Sequence, residues 1–137
     1  MPIALDIQGF IRNCEVNKEI EYVKANLSPI SSYFVFHSNI EEFEKSELTI
    51  NYLLGLGFKE LLISYNEDGF ELYTRNYKEF FKTSKIGNYK TGTGDTLIAS
   101  YFYYRLIGYN PRDSALKAKE FVEWFSNYGY LELFHTK

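Results

Sequence analysis

The residues best suited to chemistry form one short segment, KTGTGDTLIAS at positions 90–100, in which two glycines and an acid precede an apolar run. Gly92 and Gly94 carry no Cβ, so the backbone there can fold tightly and approach a ligand. If a helix starts here, its first backbone N–H groups lack intrahelical partners, and the helix dipole adds partial positive charge. Such a turn can cradle an anion, most often a phosphate.

Asp95 follows the second glycine directly. The helix N-terminus should keep this carboxylate ionised at neutral pH, and an ionised carboxylate beside a phosphate could accept the proton of an attacking hydroxyl. The segment also has a purely structural interpretation, because glycine-rich turns often precede helices and an acid is favoured in the first helical turn. These residues alone leave both interpretations open.

The elements that must position this segment alternate along the chain. Strands are predicted at 3–7, 31–38, 59–65 and 70–83, the last as one or two strands of a hairpin. Helices are predicted at 16–27, 39–57, 95–107 and 110–129, with Asn110 as the N-cap of the last helix and Gly129 just past its end. Strands that alternate with helices indicate an α/β fold with a largely parallel sheet.

In such folds, ligands bind beyond the carboxyl ends of the strands. Three polar or glycine-containing segments fall at that predicted edge, at positions 38–42, 64–69 and 91–95. Their convergence is the first indication of a functional site.

Composition excludes several classes. The 137 residues favour one domain, spanning 1–137, and the net charge of −3 supplies no basic field for nucleic acid. No apolar run approaches the roughly 20 residues that span a bilayer, so no membrane role is expected. One cysteine, Cys14, cannot form an internal disulfide, which favours a reduced, cytoplasmic setting. The 13 Tyr and 12 Phe must lie largely in the core or at an interface.

The stretch TGTGDTLIASYFYYRLIGY resembles the C-terminal signature of the ribokinase, or PfkB, family of sugar and nucleoside kinases. In that family a Gly-Ala-Gly-Asp segment opens a helix and its backbone amides hold the transferring phosphoryl group. The resemblance implies that Gly92, Thr93 and Gly94 form this anion hole. It implies that Asp95 is the catalytic base.

Two further segments match the family in order. FVFHSNIEEFE resembles a strand followed by Asn-x-x-Glu, so Asn39 and Glu42 would help to organise Mg²⁺ indirectly, through its waters. Both residues also fit a helix-capping motif. KELLISYNEDGFELYT resembles the nucleotide-binding strand, turn and strand of the family, with Ser64 at the Thr position and Gly69 at the second Gly. The resemblance therefore implies ATP and Mg²⁺ as cofactors. It implies a three-layer α/β sandwich like the C-terminal half of the ribokinase-like fold.

The chain departs from the family at three points. Tyr89 and Lys90 occupy the usual Asp-Thr positions, which removes the Asp of the monovalent-cation site, although Lys90 could reach a phosphate as a point charge. Asn66 replaces the first Gly of the nucleotide turn. Family members are also considerably longer, and their N-terminal half supplies most sugar-binding residues.

Two functions therefore stay open. The chain is either an ATP-dependent kinase of a small sugar or nucleoside, or the C-terminal part of one, or it is a shortened, non-catalytic module that binds a nucleotide or anion and self-associates. In both cases a homodimer, or a partner chain that supplies the absent half, would cover the aromatic surface.

Overall fold

The computed structural model describes residues 3–6, 34–66, 68–83 and 93–135. Within these ranges the chain forms five strands and four helices, and the helix predicted at 16–27 lies outside them. The strands are β1 (Ile3–Asp6), β2 (Phe34–Asn39), β3 (Glu60–Ser64), β4 (Gly69–Thr74) and β5 (Tyr77–Lys82). The helices are α1 (Ile40–Ser46), α2 (Ile50–Leu56), α3 (Thr93–Leu106) and α4 (Pro111–His135).

The strands form one mixed sheet in the order β1-β2-β3-β4-β5. β1, β2 and β3 are parallel, whereas β3, β4 and β5 pair antiparallel. The prediction of an α/β fold is confirmed. The parallel arrangement holds for β1 to β3 only, because the 70–83 segment forms an antiparallel hairpin, as its turn residues indicated.

The central strand, β3, explains why the parallel part of the sheet lies inside the protein. Leu61, Leu62 and Ile63 are consecutive and all buried. Consecutive side chains point to opposite faces of a sheet, so this strand is covered on both faces, as parallel strands usually are.

Two hydrophobic clusters lie on opposite faces of the sheet. One contains Val35 and Leu62 together with residues of α3 and α4, and the other contains Phe36 and Leu61 together with residues of α2. Strand neighbours thus contribute to different clusters, which is the alternation expected of a pleated strand. Helices therefore pack on each face.

The single helix predicted at 39–57 is wrong, because the chain forms two short helices there. Glu47 ends α1 in the left-handed conformation, with φ of 63°. Thr49 then caps α2, since its hydroxyl accepts a hydrogen bond from the Tyr52 N–H at 3.1 Å. A Thr side chain that satisfies an orphan N–H starts a new helix even within a continuous apolar pattern.

The predicted start of the last helix is confirmed, but its predicted end is wrong. Asn110 caps α4 by accepting a hydrogen bond from the Asp113 N–H at 2.8 Å, and Pro111 is the first helical residue. The helix passes through Gly129 and continues to His135. Ala115, Ala118 and Val122 are buried along one face of this helix. Within the described ranges, no helix combines the length and apolarity needed to cross a bilayer.

Candidate functional site

The direction of α3 places its first turn at the carboxyl edge of the parallel strands. Glu60 begins β3 and contacts the second half of α3, where Arg105 binds its carboxylate through Nε at 2.9 Å and Nη2 at 3.1 Å. The Tyr101 hydroxyl donates to the same carboxylate. The helix therefore runs opposite to β3.

The stretch of α3 from Tyr101 back to Thr93 has about the same length as β3. The rise from Tyr101 back to Thr93 is about 12 Å along a helix. The rise from Glu60 to Ser64 is about 13 Å along a strand. α3 also packs against β1 and β2. The N-terminal turn of α3, where backbone N–H groups have no partner within the helix, consequently lies level with the ends of β1, β2 and β3.

Three side chains from these strand ends form a hydrogen-bonded chain. The His37 Nδ1 lies 2.9 Å from the Asp6 Oδ2, and the His37 Nε2 lies 3.2 Å from the Ser64 Oγ. The His37 side chain is 4% exposed, the Asp6 side chain is 22% exposed, and Ser64 is partly buried. Register explains the cluster, because Asp6 pairs with His37 and Asn39 pairs with Ser64 across the parallel ladder.

Asn39 and Glu42 lie in contact at the same edge of the sheet, where β2 ends and α1 begins. The Asn39 Oδ1 accepts a hydrogen bond from the Glu42 N–H at 2.8 Å, and the Asn39 Nδ2 donates to the Glu42 carboxylate. Asn39 is thus the N-cap of α1, as the capping interpretation predicted. The pair holds a carboxylate at the carboxyl end of β2.

The turn after β3 has the geometry that its residue types require. Asn66 adopts a left-handed φ of 55°, which asparagine tolerates better than most residues with a Cβ. Gly69 has φ of 137°, and a Cβ there would lie 2.2 Å from the carbonyl oxygen of Phe81. Close approach of β5 therefore requires a glycine at position 69, whether or not the turn also binds a ligand.

The glycine segment lies largely outside the described residues. Lys90 and Gly92 are outside them, and Thr93, Gly94 and Asp95 are described only as backbone of the first turn of α3. The helix begins two residues before the predicted start at Asp95. Asp95 therefore belongs to the first turn of α3.

A second polar cluster lies on the opposite face of the sheet from His37. The hydroxyls of Tyr65 and Tyr73 each donate to the Glu71 Oε1 at 2.7 Å, and Lys78 lies 3.5 Å from Oε2. Burial, followed by the hydrogen bond to Glu71, raises the pKa of Tyr65 to about 12, and the same causes raise the pKa of Tyr73 further. Burial alone would raise the pKa of Glu71, but the two hydroxyls and Lys78 lower it below its ordinary value.

The described residues contain no group of three or more His, Cys, Asp or Glu able to hold a metal ion. The pair Asn39 and Glu42 nevertheless fits a magnesium ion that keeps most of its waters, because Mg²⁺ is usually bound through one or two carboxylates plus phosphate oxygens. The half-buried Glu42 carboxylate supplies one such oxygen donor.

The sequence motifs do not single out His37 or Asp6 as site residues. In the structure His37 is buried, and both of its ring nitrogens have polar partners. The missed signal was positional: Asp6, His37 and Ser64 each lie within two residues of the carboxyl end of their strand.

The fold is similar to that of several solved kinases. The chain matches the nucleoside kinase of Methanocaldococcus jannaschii, described as an archaeal member of the ribokinase family, with a TM-score of 0.72 and 19% identity over 91% of this chain and 41% of that one. It matches the aminoimidazole riboside kinase of Salmonella enterica, solved with aminoimidazole riboside and an ATP analogue, with a TM-score of 0.68 and 17% identity over 91% and 46%.

A ribokinase II-type protein of E. coli, solved with ATP and Mg²⁺, matches with a TM-score of 0.63 and 15% identity over 82% of this chain and 37% of that one. This chain therefore spans less than half the length of each of these three kinases. No family model matches the sequence, and no curated protein does. At these identities the likeness concerns the fold alone, and the chain has a ribokinase-like α/β fold.

Proposed function

We propose that this chain is the nucleotide-binding part of an ATP-dependent kinase that phosphorylates a hydroxyl of a small sugar or nucleoside. One observation carries the proposal. Asn39, hydrogen-bonded to Glu42, and Ser64 lie at the carboxyl edge of β1 to β3, where α/β folds bind their ligands, and the direction of α3 points its N-terminal turn toward the same edge. Solved proteins that share the fold include a nucleoside kinase and an aminoimidazole riboside kinase.

The α3 turn is proposed to hold the transferring phosphoryl group. Backbone N–H groups at Gly92, Thr93 and Gly94 would donate to its oxygens, and the dipole of the 14-residue helix would favour its charge. Asp95 would take the proton of the acceptor hydroxyl as that oxygen attacks phosphorus. General-base assistance of this kind is typically worth roughly 10²–10⁴ in rate.

The remaining edge residues are proposed to bind the rest of the nucleotide. Ser64, Asn66 and Gly69 border the turn after β3, and Lys90 would add a positive charge toward the phosphates. Asn39 and Glu42 would hold Mg²⁺ through its waters. The magnesium would neutralise the phosphate charge that repels an incoming oxygen nucleophile.

The proposal also concerns the assembly. We infer that residues 1–137 form one domain, a three-layer sandwich equivalent to the C-terminal half of the ribokinase-like fold, which works in the cytoplasm. Residues that select the sugar or nucleoside would then come from a second copy of this chain or from a partner chain.

Thermal unfolding with and without Mg-ATP tests the nucleotide site. A ligand at about 100 times its Kd adds about 2.7 kcal/mol of stability, which corresponds to a rise in Tm of roughly 5–10 °C for a chain of this size. The Gly94→Asp variant should lose this rise, because a carboxylate would occupy the anion position. Gly55→Asp is the matched control, since Gly55 is exposed in α2 and has nothing within 4 Å of its added Cβ.

Either an unshifted Tm for the parent chain or an equal rise in the Gly94→Asp variant would contradict the anion cradle. The base is tested separately by Asp95→Asn. That variant should keep the Mg-ATP shift but lose transfer of phosphate to sugar or nucleoside acceptors by at least about 100-fold. Unchanged transfer would remove Asp95 from the role of base.

A second candidate is a non-catalytic module of the same fold that self-associates, and one observation favours it. Large hydrophobic side chains are exposed around the end of α3 and on α4: Tyr103, Leu106, Ile107, Tyr109 and Phe121. A hydrophobic surface of this kind commonly marks an interface. Sedimentation of the parent chain beside a Leu106→Lys/Ile107→Lys variant tests it, because loss of the association in the variant is expected, and a monomeric parent would contradict it.

A further inference from the structure

The Asp6, His37 and Ser64 chain has the atomic order of a nucleophilic relay, which neither the glycine segment nor the proposed base Asp95 explains. A carboxylate can only accept hydrogen bonds, so the Asp6 Oδ2 at 2.9 Å requires the proton of His37 to be on Nδ1. When the ring is neutral, its Nε2 is then an acceptor, and the Ser64 hydroxyl, 3.2 Å away, donates to it.

We propose that Ser64 is a nucleophile toward electrophilic phosphorus, with His37 as its base and Asp6 as the residue that positions the ring. The hydroxyl is partly buried, while the imidazole beside it is 4% exposed and held at both nitrogens. A base oriented in this way activates a serine that is otherwise a weak nucleophile. Asp6 fixes the tautomer that leaves Nε2 free to take the serine proton.

Phosphorus is the favoured electrophile because of the position of Ser64. Ser64 is the last residue of β3, at the edge of the sheet toward which the N-terminal turn of α3 points. A helix N-terminus stabilises negative charge that develops beside it. This step rests on the proposed function for its natural donor, a Mg-nucleoside triphosphate. The Ser64 Oγ would bond to the terminal phosphorus, the bond from that phosphorus to the bridging oxygen would break, and the nucleoside diphosphate would leave. The serine proton would pass to His37 Nε2 and then to water.

The test uses a fluorophosphonate probe, which requires no bound nucleotide. The Ser64 Oγ–phosphorus bond forms, the phosphorus–fluorine bond breaks, and the proton passes to His37. Peptide mapping should locate the label on Ser64. Ser64→Ala should abolish that label, and His37→Gln should slow labelling by at least about 100-fold. Ser46→Ala is the matched serine control, because Ser46 bonds the Phe43 carbonyl at the end of α1.

The Asp6→Asn variant tests whether Asp6 positions the His37 ring, separately from any effect of Asp6 on folding. The amide can accept from or donate to Nδ1, so it no longer specifies one tautomer, and labelling should slow while the Tm stays close to that of the parent chain. Circular dichroism and Tm verify that each variant folds. Should His37→Gln not fold, the comparison of Asp6→Asn with the parent chain decides the question.

The natural donor is tested by incubating the parent chain with Mg-ATP and searching the Ser64 peptide for the mass of one phosphoryl group. A His37-dependent label together with this phosphopeptide supports the inference. Absence of a label on Ser64, or a label that forms equally fast without His37, overturns the relay. In another outcome, the parent chain shows a Tm rise with Mg-ATP and a fluorophosphonate label on Ser64 but no phosphopeptide. That result overturns the transfer of a phosphoryl group from the nucleotide to Ser64. A chain with no Mg-ATP shift refutes the proposed function, while the label still decides the relay.

Discussion

Removing Arg105 should destabilise the protein more than removing any surface ion pair. Its guanidinium makes two hydrogen bonds to Glu60, whose side chain is only 5% exposed, and a third to the Tyr109 carbonyl at 2.8 Å. In Arg105→Met the Glu60 carboxylate would lose its cation while staying buried. Breaking a buried pair in this way costs roughly 3–5 kcal/mol.

The lower end of that range is the better expectation here. The Arg105 side chain is 22% exposed, so water can partly solvate the carboxylate after the change. A loss of about 3 kcal/mol corresponds to a fall in Tm of roughly 10 °C for a chain of this length. Urea unfolding followed by circular dichroism measures the free energy directly.

The chain offers a matched control in Arg112, which lies 3.2 Å from Glu79 with 56% of its side chain exposed. Arg112→Met should cost under about 1 kcal/mol, as exposed pairs usually do. The double variant Glu60→Gln/Arg105→Met should recover part of the loss, because a neutral amide then takes the place of the buried carboxylate. Equal costs for Arg105→Met and Arg112→Met, or no recovery in the double variant, would refute the reasoning that the burial of Glu60 makes the loss of Arg105 costly.

Three further outcomes are expected. Gly69→Ala should cost more than about 2 kcal/mol in urea unfolding, because its Cβ would meet the Phe81 carbonyl at a φ of 137°; a cost no greater than that of a helix-surface change would contradict this. Stability should fall as pH rises from 10 to about 12, because Tyr65 ionises near 10 when unfolded and near 12 when folded. Tyr65→Phe should lessen this loss of stability above pH 10. An unchanged dependence of stability on pH in the variant would contradict the prediction. Asn39→Ala should cost about 1 kcal/mol through loss of the α1 cap, whereas Asn39→Asp should keep the cap; equal losses in thermal unfolding would count against capping.

Local chemistry made several elements predictable from the sequence. Asn110 and Pro111 start α4 because a side-chain acceptor and a fixed φ act over only a few residues. The segment 59–65 was predictable as a strand from its residue types, and the structure buries Leu61 to Ile63 on both faces of the sheet, which requires consecutive apolar side chains. The glycine segment indicated a helix start, although its side chains lie outside the described residues.

Elements that depend on competing local signals were not predictable. The continuous apolar pattern of 39–57 concealed a break at Glu47 and a new cap at Thr49, because hydrophobic periodicity does not record a single left-handed residue. Gly129 resembled a helix end, yet α4 continues through it to His135. A glycine costs a helix only about 1 kcal/mol relative to alanine, which the rest of a long helix can offset.

The sequence by itself determined the α/β class, the identity of most strands and the presence of a possible anion cradle before α3, because each depends on residues close together in the chain. Only the tertiary structure decided which side chains meet. Asp6, His37 and Ser64 are separated by 31 and 27 positions, and they contact one another because parallel pairing aligns the carboxyl ends of three strands. Strand register is a long-range property, since it depends on how the whole sheet packs against its helices, and no local pattern specifies it.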